Sequence, residues 1–175
     1  MKEIALHIID LIENSIRAKA NQITFIYDED NTRKSFCIID DGIGMSKEEL
    51  NNALDPLYTT KPKKQIGLGL SLTKQSVLQS AGTFHIHSTP NKGTEIVFSY
   101  VKKNIDCPPT GDIIKVLTQA IIAHPTIQFS FCYRQKNNAL IDTSFLTNEE
   151  RVNIKYSDLH SFIKEAFVEI DINGF

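Results

Sequence analysis

No stretch of this sequence is apolar for long. Met1-Lys2-Glu3 opens a segment broken by His7, Asp10 and Glu13, which leaves no continuous hydrophobic core for a signal peptide, and nothing further along approaches the length of a membrane span. Neither sign of charge dominates: 19 Lys and Arg stand against 21 Asp and Glu, a net charge of −2, so there is no electrostatic case for nucleic acid or for a membrane surface. Cysteine is scarce. The three thiols, Cys37, Cys107 and Cys132, are odd in number, far apart and in no CxxC spacing, which excludes a disulfide framework or a thiolate zinc site and predicts reduced thiols. Internal repeats and low-complexity tracts are missing too. What is left, at 175 residues with 41% hydrophobic and 23% charged, is an ordinary globular chain, expected in the cytoplasm, with room for one domain or for a domain of about a hundred residues with a small appendage.

What is present reads clearly. From Glu3 to Ala20 the residues Ile4, Ile8, Ile12, Ile16 and Ala20 recur every fourth position, the period of an amphipathic helix, whose other face carries Glu3, His7, Asp10, Asn14 and Arg17. QITFIYDE (22–29) and SFCIIDD (35–41) are rich in β-branched and aromatic residues around the turn DNTR and predict a hairpin. Ser46-Lys-Glu-Glu49 is a capping-box pattern opening a short helix over KEELNNAL. Pro56 and Pro62 bracket a loop without sustained period, and a helix then runs through LSLTKQSVLQSA to Gly82, a glycine stop. TFHIHST and GTEIVFSYV alternate like strands joined by PNKG. The linker-like KKNIDCPPTGD follows, and beyond it DIIKVLTQAIIAH predicts a helix, TIQFSFCYRQ and ALIDTSF a hairpin around KNN, and YSDLHSFIKEAFVEI a closing helix.

Four short stretches carry chemistry. In DLIENSIRAKA, Asp10 and Asn14 stand one turn apart and share a helix face. In IIDDGIGMS a hydrophobic strand ends in Asp40, and Gly42 and Gly44 let the chain turn sharply and bring backbone close to a flat ligand; an aspartate there can accept from an exocyclic amine, although a D-G turn is also common in its own right. QIGLGLSLT puts Gly67 and Gly69 before a helix whose free N–H groups suit an anion. NKGTEIVF starts a strand with Gly93 and Thr94, which taken alone is a hairpin turn.

The order of these motifs says more than any one of them. Acid-xxx-Asn on a helix, DxGxG after a strand, the aromatic loop LYTTKP, GLGL before a helix and GT before a strand, over roughly Met1 to Val101, resemble the GHKL ATPases, the superfamily of DNA gyrase B, heat-shock chaperones, mismatch-repair ATPases, sensor histidine kinases and anti-sigma-factor kinases. The resemblance implies an α+β fold, a Bergerat-type two-layer α/β sandwich with helices on one face of a mixed sheet, over residues 1–103, followed by a small C-terminal α/β region, 104–175. It implies ATP and Mg2+ as ligands. Asn14 matches the magnesium-coordinating asparagine, and Asp10 the acid that orients or deprotonates the attacking group, with Glu13 on the adjacent flank as the fallback. Asp40 matches the adenine-reading aspartate, Gly42 and Gly44 the glycines beneath the base, and Thr94 the hydroxyl near it. Gly67, Leu68 and Gly69 match the phosphate loop, and Tyr58, Thr60 and Lys61 fall in the lid, with Lys61 as a phosphate contact.

Departures narrow the branch. Arg17 stands where many ATPases of the group have an acid and the kinases carry lysine or arginine, and LYTTKP…GLGLSLTKQSV is close to sensor-kinase wording, with a shorter loop from Tyr58 to Gly67 that predicts slow turnover. No helical hairpin with a phosphoacceptor histidine precedes the first helix, so His7 is expected to line the cleft or the surface rather than to be phosphorylated, and His85 and His87 to lie on an exposed strand face. The whole arrangement resembles small ATP-binding proteins of anaerobic bacteria associated with iron-only hydrogenase gene clusters. The expected function is an ATP-dependent protein kinase acting on a separate protein partner, or a slow ATPase, in a regulatory role; the alternative is a nucleotide-responsive binding module. A gyrase-like or mismatch-repair machine ranks third, since no transducer domain or DNA-binding charge follows. Expected partners are ATP and a protein phosphoacceptor, with a homodimer as a further expectation, and neither nucleic acid nor membrane.

Overall fold

The computed structural model describes residues 3–55, 69–135, 137–142 and 155–172. Helix α1 (Ile4–Arg17) buries Ile4, Ile8, Leu11 and Ile12 completely, as the four-residue period requires. It ends before Ala20, where the apolar period alone would carry it. The Ala20 amide turns back to Ser15 O (3.1 Å) and the Lys19 amide to Ile16 O (2.9 Å), a Schellman ending with Lys19 left-handed at φ 59°. At the other end Glu3 makes no side-chain cap; the amides of Ile4 and Ala5 donate instead to the carbonyls of Pro109 and Thr110, both at 2.9 Å.

Strands β1 (Gln22–Glu29) and β2 (Arg33–Asp40) form the expected hairpin, closed by Asp30, whose carboxylate accepts from the amides of Thr32 and Arg33. The capping box on α2 (Lys47–Leu54) is complete, with Ser46 and Glu49 exchanging side-chain and backbone bonds. Helix α3 (Gly69–Gln79) leads to β3 (Thr83–Thr89) and β4 (Gly93–Val101). Its left-handed residue is Ala81 (φ 56°), one place ahead of the glycine stop expected at Gly82. Gly82 is demanded by something else: a Cβ there would stand 1.9 Å from Ser99 O.

The tail adds α4 (Ile113–Ala123), β5 (Gln128–Gln135), β6 (Asn137–Asp142) and α5 (Tyr156–Ile172). Asn137 and Asn138, expected in the turn, already pair in the β5–β6 ladder. All six strands share one sheet in the order β3-β4-β2-β1-β5-β6, antiparallel except that β5 lies parallel to β1 from Gln22↔Gln128 to Glu29↔Gln135. One face takes the helices. Along it Tyr27, Phe36 and Phe98 stack across three neighbouring strands with ring centroids 4.8 and 5.1 Å apart. The other face shows His85, His87, Glu95, Ile39 and Val97, and among the described residues no three metal-ligating side chains converge. Cys37, half-buried on that face, has its thiol pushed up to about 11 by burial and then by Glu95.

One left-handed alanine and the crowded glycine beside it make opposite predictions. Ala81→Gly should raise stability by up to about 1 kcal/mol, because a Cβ in that conformation is strained, whereas Gly82→Ala should lower it by about 1–3 kcal/mol through overpacking. Urea midpoints at unchanged slope read both. Cys37 should react with iodoacetamide at pH 8 far more slowly than a free thiol, since little thiolate forms below a pKa near 11.

Candidate functional site

The end of β2 stands beside the start of β4, with Asp40 paired to Thr94. Asp40 is 7% exposed. Its Oδ2 accepts from Ser15 Oγ on α1 at 2.7 Å and its Oδ1 from the Gly42 amide at 3.0 Å. The next residue does something different: Asp41 Oδ1 accepts from the amides of Asn21 (2.7 Å) and Gln22 (2.9 Å) and closes the α1–β1 connection. Of the two aspartates, Asp40 lines a cavity.

That cavity, about 240 Å³, is lined by Asn14, Arg17, Asp40 and Thr94, with apolar walls that include Met45, Ala53, Leu70, Ile86 and Ile96. Its volume is below the roughly 300–1,000 Å³ of whole small-molecule sites, so it suits a flat ring rather than a complete nucleotide. Ile43 at the rim is 57% exposed. Ser88 ties the rim together: its Oγ accepts from the Met45 amide at 2.8 Å and lies 3.0 Å from Thr94 Oγ1.

The glycines have neighbours of their own. A Cβ on Gly42 would meet Ala18 O at 2.8 Å, one on Gly44 (φ +62°) would meet Thr89 O at 2.0 Å, and one on Gly93 would meet Asp40 O at 1.8 Å. Close approach of protein backbone constrains all three positions, of which the sequence suggested close approach to a ligand for Gly42 and Gly44. The Ile43 amide donates to Ala18 O at 2.9 Å and the Asn91 amide to Ile43 O at 2.7 Å, which pins the loop between α1 and the β3–β4 turn.

The structure separates the two acids of α1. Asp10 abuts the start of α3, where a Cβ on Gly69 would come within 2.8 Å of Asp10 Cβ. Glu13 points along the other flank, with Oε1 3.9 Å from His124 Nε2 at the end of α4. His7, expected on the cleft or the surface, is interior at 3% exposure, its Nδ1 3.3 Å from Thr73 Oγ1. Tyr58, Thr60, Lys61, Gly67 and Leu68 lie outside the described residues. Two site residues escaped the sequence reading, Ser15 and Ser88. The signal for Ser15 was a hydroxyl on the buried stripe of an isoleucine-rich helix; Ser88 offered none beyond its place before the turn.

Residues 2–105 match the family described as histidine kinase-, DNA gyrase B-, and HSP90-like ATPase. Among curated proteins the chain is 33% identical over 97 residues to Sporulation kinase A of Bacillus subtilis (strain 168), covering 54% of this chain and 16% of that protein. It is also 33% identical over 82 residues to the non-motile and phage-resistance protein of Caulobacter vibrioides, covering 44% of this chain and 10% of that one. It thus spans a small part of each. Two solved structures share the fold: the N-terminal domain of a DNA repair protein (TM-score 0.63, 18% identity, 86% of this chain and 56% of that one), and the Aquifex aeolicus MutL ATPase domain complexed with ADP (TM-score 0.55, 13% identity, 87% and 68%). Both fits cover more of the chain than residues 2–105 span. Family match and fold agree, and the chain belongs to the histidine kinase-, DNA gyrase B- and HSP90-like ATPases.

Proposed function

We propose that this protein binds Mg-ATP and passes the γ-phosphate to a separate protein partner, or slowly to water, in a regulatory role. One observation carries the nucleotide reading: a buried carboxylate, Asp40, held by Ser15 and Gly42 at an apolar cavity of ring size. Ring faces would gain from the apolar walls, and the fixed carboxylate would accept from the 6-amine of adenine, where guanine carries a carbonyl that can only accept. Thr94 and Ser88 supply hydroxyls beside it.

Asn14 lines the same cavity and offers one amide oxygen, enough for a cation that keeps most of its shell as phosphate and water. Bound there, magnesium would neutralise charge on the triphosphate. Arg17 lines the cavity too and adds positive charge at its rim. The N-terminal end of a helix favours an anion, and Asp10 sits against the first turn of α3, which favours Asp10 over Glu13 as the group that takes a proton from the acceptor. By resemblance Gly67, Leu68, Tyr58, Thr60 and Lys61 complete the phosphate end. The second reading, a nucleotide-responsive binding module, keeps the same binding residues and drops the transfer.

Calorimetry should show Asp40→Asn weakening ATP binding by roughly 1–3 kcal/mol, with GTP a poor competitor of the parent; parental affinity in that variant overturns the adenine assignment. Ser15→Ala, which takes one donor from a buried carboxylate, should cost about 1–3 kcal/mol of unfolding free energy. Asn14→Ala should abolish the tightening of ATP binding by magnesium while metal-free binding survives. Asp10→Asn should leave Mg-ATP affinity nearly unchanged and slow transfer or hydrolysis by about a hundredfold or more, with Glu13→Gln close to the parent. With γ-labelled ATP and lysate of the source organism, label on a second protein supports the kinase, and binding without transfer or release makes the protein the module.

A further inference from the structure

The contact between α1 and α3 contains a polar pair that the proposed chemistry does not use. His7 and Thr73 are 3% and 0% exposed, on helices that also bury Ile4, Ile8, Leu70 and Val77. Apolar walls of this kind hold two helices together without fixing how far one has slid along the other. A buried hydrogen bond is directional and expensive to leave unmade, so it fixes that register.

Donor and acceptor follow from valence. Thr73 Oγ1 lies 2.7 Å from Gly69 O, and a carbonyl can only accept, so the single hydroxyl proton points there. The 3.3 Å contact between Thr73 Oγ1 and His7 Nδ1 is then donated by the ring nitrogen. The result is a continuous chain from the His7 Nδ1–H through the Thr73 hydroxyl to the carbonyl of Gly69, in the first turn of α3. That turn also meets Asp10, three residues along α1 from His7: Gly69 has no room for a Cβ, which would stand 2.8 Å from Asp10 Cβ. The chain of bonds and the Asp10 contact brace the start of α3 at two points.

We infer that His7 and Thr73 are positioning residues for the phosphate end of the site: their hydrogen-bonded chain to the Gly69 carbonyl sets the register of the first turn of α3 against Asp10. The inference rests on the nucleotide reading given above. The polar groups of base recognition, Asp40 and Thr94, lie on β2 and β4, and the first turn of α3 meets the ring cavity through the apolar Leu70, so the tie acts first on phosphate binding and transfer and only weakly on the adenine end. Displacements of about 1 Å at a reacting group can cost on the order of a hundredfold, so a slip at this contact is large enough to matter.

The test compares adenosine with Mg-ATP by calorimetry, which reads the phosphate contribution as the ratio of the two affinities and needs no turnover. In the double variant His7→Leu/Thr73→Val, the adenosine affinity should stay within about twofold while the ATP advantage falls by about tenfold or more. His7→Asn, whose amide nitrogen stands near the place of Nδ1, should show lower stability from the lost ring volume, and an ATP advantage within a few-fold of the parent. If the double variant binds no adenosine, Thr73→Val against Thr73→Ser repeats the comparison, with loss of the ATP advantage expected only where the hydroxyl is gone. An ATP advantage unchanged in the hydroxyl-free variants, or lost equally in His7→Asn and Thr73→Ser, overturns the inference alone. A parent that binds ATP no more tightly than adenosine overturns it together with the phosphate-end reading.

Discussion

The burial of one stripe of α1 is the constraint on which the rest of the molecule depends. Ile4, Ile8, Leu11 and Ile12 are fully buried, and each such side chain stabilises the fold by roughly 1.5–3 kcal/mol, so the helix cannot rotate about its axis without a large loss. With the rotation fixed, every polar residue on α1 has a fixed destination. Ser15 continues the buried stripe and reaches Asp40. Asn14 and Arg17 reach the cavity, His7 and Asp10 meet α3, and Glu13 meets the end of α4. The sheet responds to the same helix, since Ala18 O accepts the Ile43 amide and so holds the loop that follows Asp40.

Local patterns were legible in the sequence because their physics is local. The four-residue period of α1, the Ser46/Glu49 box and the alternation in β1 to β4 depend on neighbours a few positions away, and the structure has them where the residues predict. Motif order pointed to the family, which the match over residues 2–105 bears out. The parallel pairing of β5 with β1 was not legible: nothing in TIQFSFCYRQ names its neighbour, because a strand's sequence states which face is buried but not which edge it joins. Nor did spacing show what surrounds Asp10 and Glu13, three residues apart on one helix: α3 lies against the first and His124 beside the second.

The small residues around Asp40 teach a related point. Gly42, Gly44 and Gly93 each face a carbonyl of the protein, of Ala18, Thr89 and Asp40 respectively, that leaves no room for a Cβ. A cavity built this way keeps its shape before anything enters it, because its rim is held by backbone hydrogen bonds and by Ser88 rather than by the occupant. Lys19 and Ala81 show the converse. Both take a left-handed conformation without being glycine, so the connections after α1 and α3 carry strain that the Schellman bonds offset.

The position of β5 beside β1 has a consequence for how the chain comes off the ribosome. Gln22 and its ladder partner Gln128 are 106 positions apart, and at about 5–20 residues per second their synthesis is separated by roughly 5–20 seconds. Through that interval β1, with Ile23, Phe25 and Tyr27 on one face, has an open hydrogen-bonding edge where β5 will later lie. The carbonyls of Pro109 and Thr110 that receive the first amides of α1 arrive almost as late. For those seconds any fold of the first half leaves that edge of β1 without its partner strand, open to chaperones or to a neighbouring nascent chain until the tail closes the sheet.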